Sequence, residues 1–246
     1  MRFYEFECKL LLAKQGVPLP HGGTANNPEQ ARQLAAELRG PVVLKSQVLS
    51  GGRMKAGGVK FADTPEEAAN AAAEILELPI RDQLPVCVSV EAKAAVAKEY
   101  YLGVTYDALA KKPVMIFSDM GGIDIEQVAE EHPGHVAKQH FSTLIPYTDF
   151  RAKELLASLG ITGGELTALT GVATKLVRLF QQYDMTLAEI NPLGKLEDGS
   201  FVVLDCHLDM EDEARERHQA VLDELGIKPD ETRQGRPPTE FEAEMG

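Results

Sequence analysis

The chain has 246 residues, 44% of them hydrophobic and 26% charged, which is typical of a folded globular protein and not of a disordered or collagen-like one. A formal net charge of −13 argues against nucleic-acid binding, which needs basic patches, and against binding to anionic membranes. The three cysteines are widely spaced and form no C-x-x-C pair, so we expect reduced thiols and a cytoplasmic protein. No stretch approaches the ~20 apolar residues of a membrane-spanning helix.

The first half of the chain predicts a small α/β unit. A glycine- and proline-containing segment ends an opening amphipathic helix, and two later helices begin with Asn27-Pro28 and Thr64-Pro65, each followed by a capping-box Gln or Glu. The predicted elements are helices over about 3–15, 28–40 and 65–78 and strands over about 42–45 and 86–91.

The second half predicts more strands, joined in part by long helices, and therefore a mixed sheet. The predicted strands cover about 99–106, 114–118, 186–191 and 201–206, and the last two flank a hairpin signal at Glu197-Asp198-Gly199. The predicted helices cover about 124–131, 150–159, 165–182 and an acidic stretch from 209 to 225. The segment after it is rich in Pro, Gly and charge, which indicates a linker or mobile end.

The segment VVLKSQVLSGGRMKAGGVK, residues 42–60, has the strongest local signal. A buried strand leads into a loop with two Gly-Gly pairs, where backbone N–H groups can approach phosphate oxygens closely. Lys45, Arg53, Lys55 and Lys60 concentrate positive charge there. The loop is not a Walker A motif. From composition alone, a mobile surface hairpin with solvated lysines is an equal alternative.

Three further segments follow this loop in order: VEAKAAVAKEYYLG at 90–103, AEINPL at 188–193 and VVLD at 202–205. With the opening EFECKLLLAKQGVPLP, they resemble the β subunit of succinyl-CoA synthetase and its relatives, including malate–CoA ligase and the ATP-grasp part of ATP-citrate lyase. The resemblance implies an α/β (α+β), two-lobed ATP-grasp fold with mixed sheets. The larger lobe would comprise residues 1–20 and 99–226, the smaller lobe 21–98, and a linker or mobile tail 227–246.

The resemblance also implies ATP and Mg²⁺ as cofactors and assigns residues to them. Lys45 and Arg53 would be the catalytic cations on the phosphates. The nucleotide-contacting set would be Lys45, Gly52, Arg53 and Met54 in and before the closing loop, Glu91 and Ala94 at the adenine and ribose, and Glu99 at the inner edge of the site. Asn191 and Asp205 would bind Mg²⁺, a hard ion that takes oxygen ligands. As alternatives, Glu91 and Glu99 could be surface acids and Asn191 part of an exposed edge.

The hairpin register offers a check on the implied metal pair. A strict two-residue turn at Asp198-Gly199 would place Asp205 opposite Pro192. A three-residue loop or a bulge would instead place it opposite Asn191, and a metal site needs this second register. We therefore predict that irregularity. Asp205 also follows a predicted buried strand, where an unpaired carboxylate would be costly and a metal would relieve the cost.

The segment SDMGGIDIEQVAEE, residues 118–131, resembles the family's Gly-Gly stretch near the partner's phosphohistidine loop. A helix N-terminus at Asp124 could bind an anion there, and a capped helix after a glycine turn is the alternative. His132, His135 and His140 fit neither a helix face nor a zinc motif, so we expect surface residues and no phosphohistidine among them.

Three departures from the family stand out. Met54 stands where the family commonly has glycine, and CHLDMEDEARER after Asp205 differs from the usual continuation. The 246 residues do not include the CoA-ligase domain that follows in the family, so we expect either a fragment of a longer chain or a system that is split differently. The resemblance implies the ATP-binding part of an acid–CoA ligase, acting in a hetero-oligomer with a CoA-binding, phosphohistidine-bearing subunit or domain. A stand-alone carboxylate–amine ligase and a non-catalytic nucleotide-binding subunit are the alternatives, and the acid, whether succinate, malate or citrate, is left open.

Overall fold

A computed structural model describes residues 1–229 and 231–233, and the chain divides into two compact units. Unit 1 contains Met1–Phe6, Pro20–Ala94 and residues 232–233, and unit 2 contains Glu7–Leu19 and Ala95–Glu231. The predicted lobes had their boundary at 98 and placed residues 1–20 in the larger lobe. The observed division lies at Ala94 and assigns the first six residues to unit 1.

Unit 1 is a four-stranded antiparallel sheet with two helices. The strands are β1 (Gly22–Ala25), β2 (Val42–Ser46), β3 (Val59–Ala62) and β4 (Val88–Ala92), in the order β1-β4-β2-β3. The helices are α2 (Pro28–Leu38) and α3 (Pro65–Leu76). Their alanine-rich inner faces let the helices pack closely on the strands, around buried residues such as Leu44, Ile75 and Val90.

Both predicted helix caps in unit 1 are confirmed. The Asn27 side chain accepts a hydrogen bond from Gln30 N at 2.9 Å, and the Gln30 side chain accepts one from Asn26 N at 2.8 Å. Thr64 caps α3 in the same way, accepting from Glu67 N at 3.2 Å. These reciprocal bonds satisfy N–H groups that have no partner within the helix.

Unit 2 contains a six-stranded sheet in the order β10-β8-β5-β6-β7, with β9 paired to β8. The strands are β5 (Val96–Asp107), β6 (Lys112–Ser118), β7 (Val136–His140), β8 (Met185–Leu196), β9 (Phe201–Val203) and β10 (Cys206–Met210). The helices are α1 (Glu5–Lys14), which belongs to this unit from Glu7 on, α4 (Ile125–Glu131), α5 (Asp149–Ala157), α6 (Gly163–Gln182) and α7 (Gln219–Glu224). The longest helix, α6, buries apolar residues at helical spacing, including Leu169, Leu176 and Phe180.

Several predicted elements need correction. Every pairing among the described strands is antiparallel, whereas a mixed sheet was predicted, because neighbouring strands are hairpin partners or are reached by connections that reverse direction. The short strands β1, β3 and β7 were not predicted. The acidic helix predicted from 209 to 225 is instead the end of β10, a 3-10 helix over Asp212–His218 and α7. The predicted tail lies largely outside the described residues.

Within residues 1–229 and 231–233, no helix combines the length and the apolar character that crossing a membrane requires.

Candidate functional site

Lys45 lies at the centre of a buried ion cluster in unit 1, formed by Glu5, Lys45, Arg53 and Glu91. The Lys45 ammonium donates to Glu5 Oε1 and to Glu91 Oε2, both at 2.9 Å, and Arg53 Nη1 donates to Glu5 Oε2 at 2.6 Å. The four side chains are between 2% and 12% exposed. The predicted cations Lys45 and Arg53 are thus brought together, and each binds a carboxylate.

Glu5 was missed as a member of this cluster. It sits in the first turn of α1, where the sequence shows two acids, Glu5 and Glu7, among apolar residues, and only the fold brings Glu5 to β2. Glu91 is 5% exposed, so the alternative that it is a surface acid is wrong. Its position on β4, the neighbour of β2, places its carboxylate beside Lys45 because the two strands pair antiparallel.

The glycine-rich loop between β2 and β3 leaves most of its predicted nucleotide contacts exposed. Gly52 is exposed and has φ +87°, a conformation that favours glycine, and Met54 is 74% exposed. Arg53 O accepts from Gly58 N at 2.8 Å, which closes the loop back towards β3. Lys55 is exposed, while Lys60 forms an ion pair with Glu74. Lys60 therefore pairs outside the ion cluster, whereas the sequence predicted that its positive charge would add to that of Lys45 and Arg53.

Ala94, the other predicted hinge residue, is half-buried and is the last residue of unit 1. Its side chain is a methyl group, so any polar contact with a nucleotide would come from its backbone N–H or C=O.

The predicted irregularity of the hairpin in unit 2 is confirmed. Leu196 N donates to Ser200 O at 2.8 Å, so the loop has three residues, and its Gly199 has φ +85°. The register is shifted by one residue as expected: Asn191 N donates to Asp205 O at 3.0 Å, and Glu189 lies opposite His207. Asn191 and Asp205 are therefore neighbours across the two strands.

The predicted burial of Asp205 is wrong. β9 ends at Val203, and Asp205 lies half-exposed between β9 and β10. Pro192 has no N–H to continue the ladder, and its carbonyl accepts from both Leu204 N at 3.0 Å and Asp205 N at 3.4 Å. The strand therefore breaks there, and one oxygen of Asp205 accepts from Cys206 N at 2.8 Å. The cost of a buried carboxylate no longer supports a metal at this position.

The metal pair fits Mg²⁺ by its donor chemistry. Asn191 and Asp205 offer two oxygen-bearing side chains on adjacent segments, and residues 1–229 and 231–233 contain no group of three or more His, Cys, Asp and Glu able to hold a metal. Mg²⁺ takes one or two protein oxygens and completes its shell with water and phosphate oxygens. A structural zinc site would need four nitrogen or sulfur ligands.

The Asn191 amide also makes two hydrogen bonds that the sequence did not suggest. Its oxygen accepts from Gly122 N at 2.8 Å, and its nitrogen donates to Ile123 O at 3.0 Å. The glycine turn predicted before α4 is thus connected to the middle of β8. Asp124 caps α4 as predicted, accepting from Glu126 N at 3.2 Å.

Glu99 lines a cleft of about 440 Å³ within unit 2. The cleft lies between the start of β5 and the turn after β6, and its lining residues are Val96, Ala97, Lys98, Glu99, Asp119, Met120, Gly121 and Ile123. Lys98 Nζ lies 3.8 Å from Asp119 Oδ2, and the same carboxylate contacts His135 at 2.7 Å. Glu99 is half-buried there, so it is not a fully exposed surface acid. The three clustered histidines are exposed, as predicted.

Glu189, on the same strand as Asn191, has a perturbed carboxyl group. Burial raises the pKa of Glu189 above its ordinary value, although Tyr101 Oη donates to it at 3.0 Å. Burial also raises the pKa of Tyr101. This carboxyl therefore retains its proton to a higher pH than an exposed glutamate would.

Comparisons with known proteins agree with this architecture. The ATP-grasp domain family matches residues 2–195. The β subunit of the ADP-forming succinate–CoA ligase of Methanothermobacter thermautotrophicus is 35% identical over 231 residues, 94% of this chain and 63% of that subunit. The β subunit of the GDP-forming ligase of Thermus thermophilus is 40% identical over 218 residues, 89% of this chain and 57% of that subunit. This chain thus spans about three fifths of the length of these relatives.

Among solved structures, the dinucleotide-forming acetyl-coenzyme A synthetase 1 of Ca. Korarchaeum cryptofilum superimposes with a TM-score of 0.62 at 20% identity, over 85% of this chain and 93% of that chain. This likeness shows a shared fold. Since the family match covers most of the chain and includes both the ion cluster and the Asn191 strand, the chain belongs to the ATP-grasp domain family.

Proposed function

We propose that this chain is the ATP-binding part of an acid–CoA ligase, which passes a phosphoryl group from Mg-ATP to a histidine on a CoA-binding partner subunit or domain. The curated relatives are named succinate–CoA ligase β subunits. The Korarchaeum structure is described with coenzyme A and Mg-AMPPCP and with a phosphohistidine segment pointing towards its nucleotide-binding site. Because this chain spans only part of its relatives, the acid, the partner and the complete reaction belong to the proposal.

The ion cluster is the observation that carries this proposal. Phosphoryl transfer needs positioning and charge neutralisation more than covalent chemistry from the protein. Lys45 and Arg53 are two cations held in place by hydrogen bonds of 2.6 to 2.9 Å beside a glycine-rich loop, and both can donate to phosphate oxygens. The remaining nucleotide contacts in this proposal come from Gly52, Met54, Glu91, Ala94 and Glu99.

Asn191 and Asp205 would hold Mg²⁺, which when bound neutralises phosphate charge. In this chain, their part is to place two oxygens at neighbouring positions of the hairpin, which the three-residue loop achieves by shifting the register.

The proposal is tested by thioester formation. The purified chain is incubated with ATP, Mg²⁺, CoA and succinate, malate or citrate, with and without a phosphohistidine-bearing subunit from a related ligase. We expect no acyl-CoA from the chain alone and ³²P transfer from ATP to the partner's histidine when the two are mixed, since the acceptor must be held in line with the transferred group. A parallel experiment with GTP in place of ATP shows which nucleotide is the phosphoryl donor. Robust acyl-CoA synthesis by the chain alone, or no phosphohistidine with any partner, would overturn the proposal.

Calorimetry of Mg·ATP binding tests the named residues. Lys45→Met removes a charge-assisted phosphate contact and should weaken binding about 10- to 100-fold. Lys60→Met is the matched control, because Lys60 pairs with Glu74 outside the ion cluster. Asp205→Asn should weaken the Mg²⁺-dependent part of binding while circular dichroism stays unchanged. Equal affinity of Lys45→Met and the parent chain would remove Lys45 from the site.

A further inference from the structure

The turn between β6 and α4 is packed against the start of β5 and has no room for a side chain at Gly121. A Cβ on Gly121 would lie 2.6 Å from the backbone of Tyr100, and one on Gly122 would lie 2.4 Å from Glu99 Oε2. Gly122 also has φ +73°, which favours glycine. One side of the turn is therefore held against the start of β5, where Glu99 O accepts from Gly121 N at 3.1 Å.

Asn191 holds the other side of the turn through two side-chain hydrogen bonds. Its Oδ1 accepts from Gly122 N at 2.8 Å, and its Nδ2 donates to Ile123 O at 3.0 Å. A donor must face Ile123 and an acceptor must face Gly122, so only one orientation of the amide satisfies both bonds. The primary amide of Asn supplies both groups at the required separation.

Residue 191 is an asparagine and not an aspartate, and this distinguishes its contact with the turn from its proposed metal role. A magnesium ion would use only Oδ1 of Asn191, and a carboxylate would be the stronger ligand for a hard cation. The Nδ2 donor contributes nothing to metal binding, but it is required for the bond to Ile123 O. An aspartate at this position would lose that bond and place a carboxylate beside a carbonyl oxygen.

We propose that Asn191 is a positioning residue that latches the glycine turn 121–123 to the middle of β8. The latched turn contributes Gly121 and Ile123 to the wall of the 440 Å³ cleft, and Asp124 at its end caps α4. The latch itself needs no ligand. Its consequence for nucleotide binding rests on the proposed function: Asn191 would hold the metal-binding part of β8 and the cleft wall in place against one another.

Hydrogen exchange of the full chain, without nucleotide, tests the latch directly. We compare the Gly122 amide, which donates to Asn191 Oδ1, in the parent, in Asn191→Asp and in Asn191→Leu. Asn70→Asp, on the exposed face of α3, is the control for the charge change. Loss of one or both hydrogen bonds should speed exchange of the turn roughly 3- to 10-fold, more in Asn191→Leu than in Asn191→Asp, with Asn70→Asp unchanged. Parent-like exchange in Asn191→Leu would refute the latch.

If Asn191→Leu does not fold, NMR measurements of side-chain amide exchange in the parent chain test the latch instead. The latched Asn191 side-chain amide should exchange slower than that of exposed Asn70, and equal rates would refute the latch.

Binding of Mg-AMPPCP then separates positioning from ligation. If Asn191 acts as a latch, Asn191→Asp should retain the dependence on Mg²⁺ but bind the analogue about 3- to 10-fold more weakly. If Asn191 were only a ligand, Asn191→Asp would bind at least as well as the parent, with unchanged exchange of the turn, and the proposal would be overturned. Failure of the parent to bind the analogue would count against the proposed function, and the exchange experiment would still decide the latch.

Discussion

Replacing Lys45 by Met should destabilise unit 1 far more than the loss of an ordinary surface lysine. The Lys45 ammonium lies 2.9 Å from both Glu5 and Glu91, and the side chains are 9%, 2% and 7% exposed. Removing the cation leaves two buried carboxylates with less compensation, and breaking such buried pairs costs about 3–5 kcal/mol. Lys60→Met is the control. Its partner Glu74 is 65% exposed, so we expect a loss of about 0–1 kcal/mol.

A double-mutant cycle shows whether this loss comes from the ion pair. Glu91→Gln in the Lys45→Met background removes one buried charge, so the double variant should be more stable than the sum of the single changes by about 1–3 kcal/mol. Urea unfolding followed by circular dichroism measures each variant, and the transition that responds to Lys45→Met reports unit 1. Additivity within about 0.5 kcal/mol would refute the reasoning, because it would mean that Lys45 and Glu91 do not interact.

Three further predictions concern pH and capping. Burial raises the pKa of Glu189, so ionisation of this carboxyl opposes folding. At pH 7, Glu189→Gln should therefore be at least as stable as the parent, and the difference in stability should vanish below about pH 4.3. Urea titrations at several pH values measure this difference. Burial alone would raise the pKa of Glu165, but hydrogen bonds from Lys195 and Tyr100 outweigh it and lower that pKa. Its stabilisation is thus present above about pH 4.3 and lost as pH falls through the folded pKa, and Glu165→Gln should show a smaller acid-induced loss. Asn27→Ala removes the cap of α2 and should cost about 1 kcal/mol in thermal unfolding, and an unchanged Tm would show that the cap contributes nothing.

The features predicted most closely are those determined by local chemistry. The caps at Asn27 and Thr64 depend on side chains three residues apart, and both form as expected. The hairpin register depends on a three-residue loop with glycine at a positive φ, and it places Asn191 beside Asp205. In each case the atoms that decide the structure are close together in the sequence, so the pattern alone is informative.

The features that were missed depend on contacts between distant parts of the chain. Glu5 joins Lys45 across 40 residues, and no spacing rule connects a helix start to the strand that it meets. The strand β1 has the sequence GGTA, which has no strand signature, and it forms by pairing with β4. Asp205 was expected to be buried because β9 was extended past Val203, yet the missing N–H of Pro192 on the partner strand breaks the ladder.

The ion cluster explains how a strongly acidic chain can present cations to a phosphate. Two cations and two carboxylates, each at most 12% exposed, give the cluster no net charge when all four are ionised. Such a cluster attracts anions weakly at long range. Its N–H donors, however, are already fixed, so a phosphate oxygen that replaces a carboxylate oxygen requires little further ordering of the long Lys45 and Arg53 side chains. Under the proposed function, binding would therefore rest on short-range exchange of oxygens. It would depend less on ionic strength than binding to an exposed lysine such as Lys55 on the same loop.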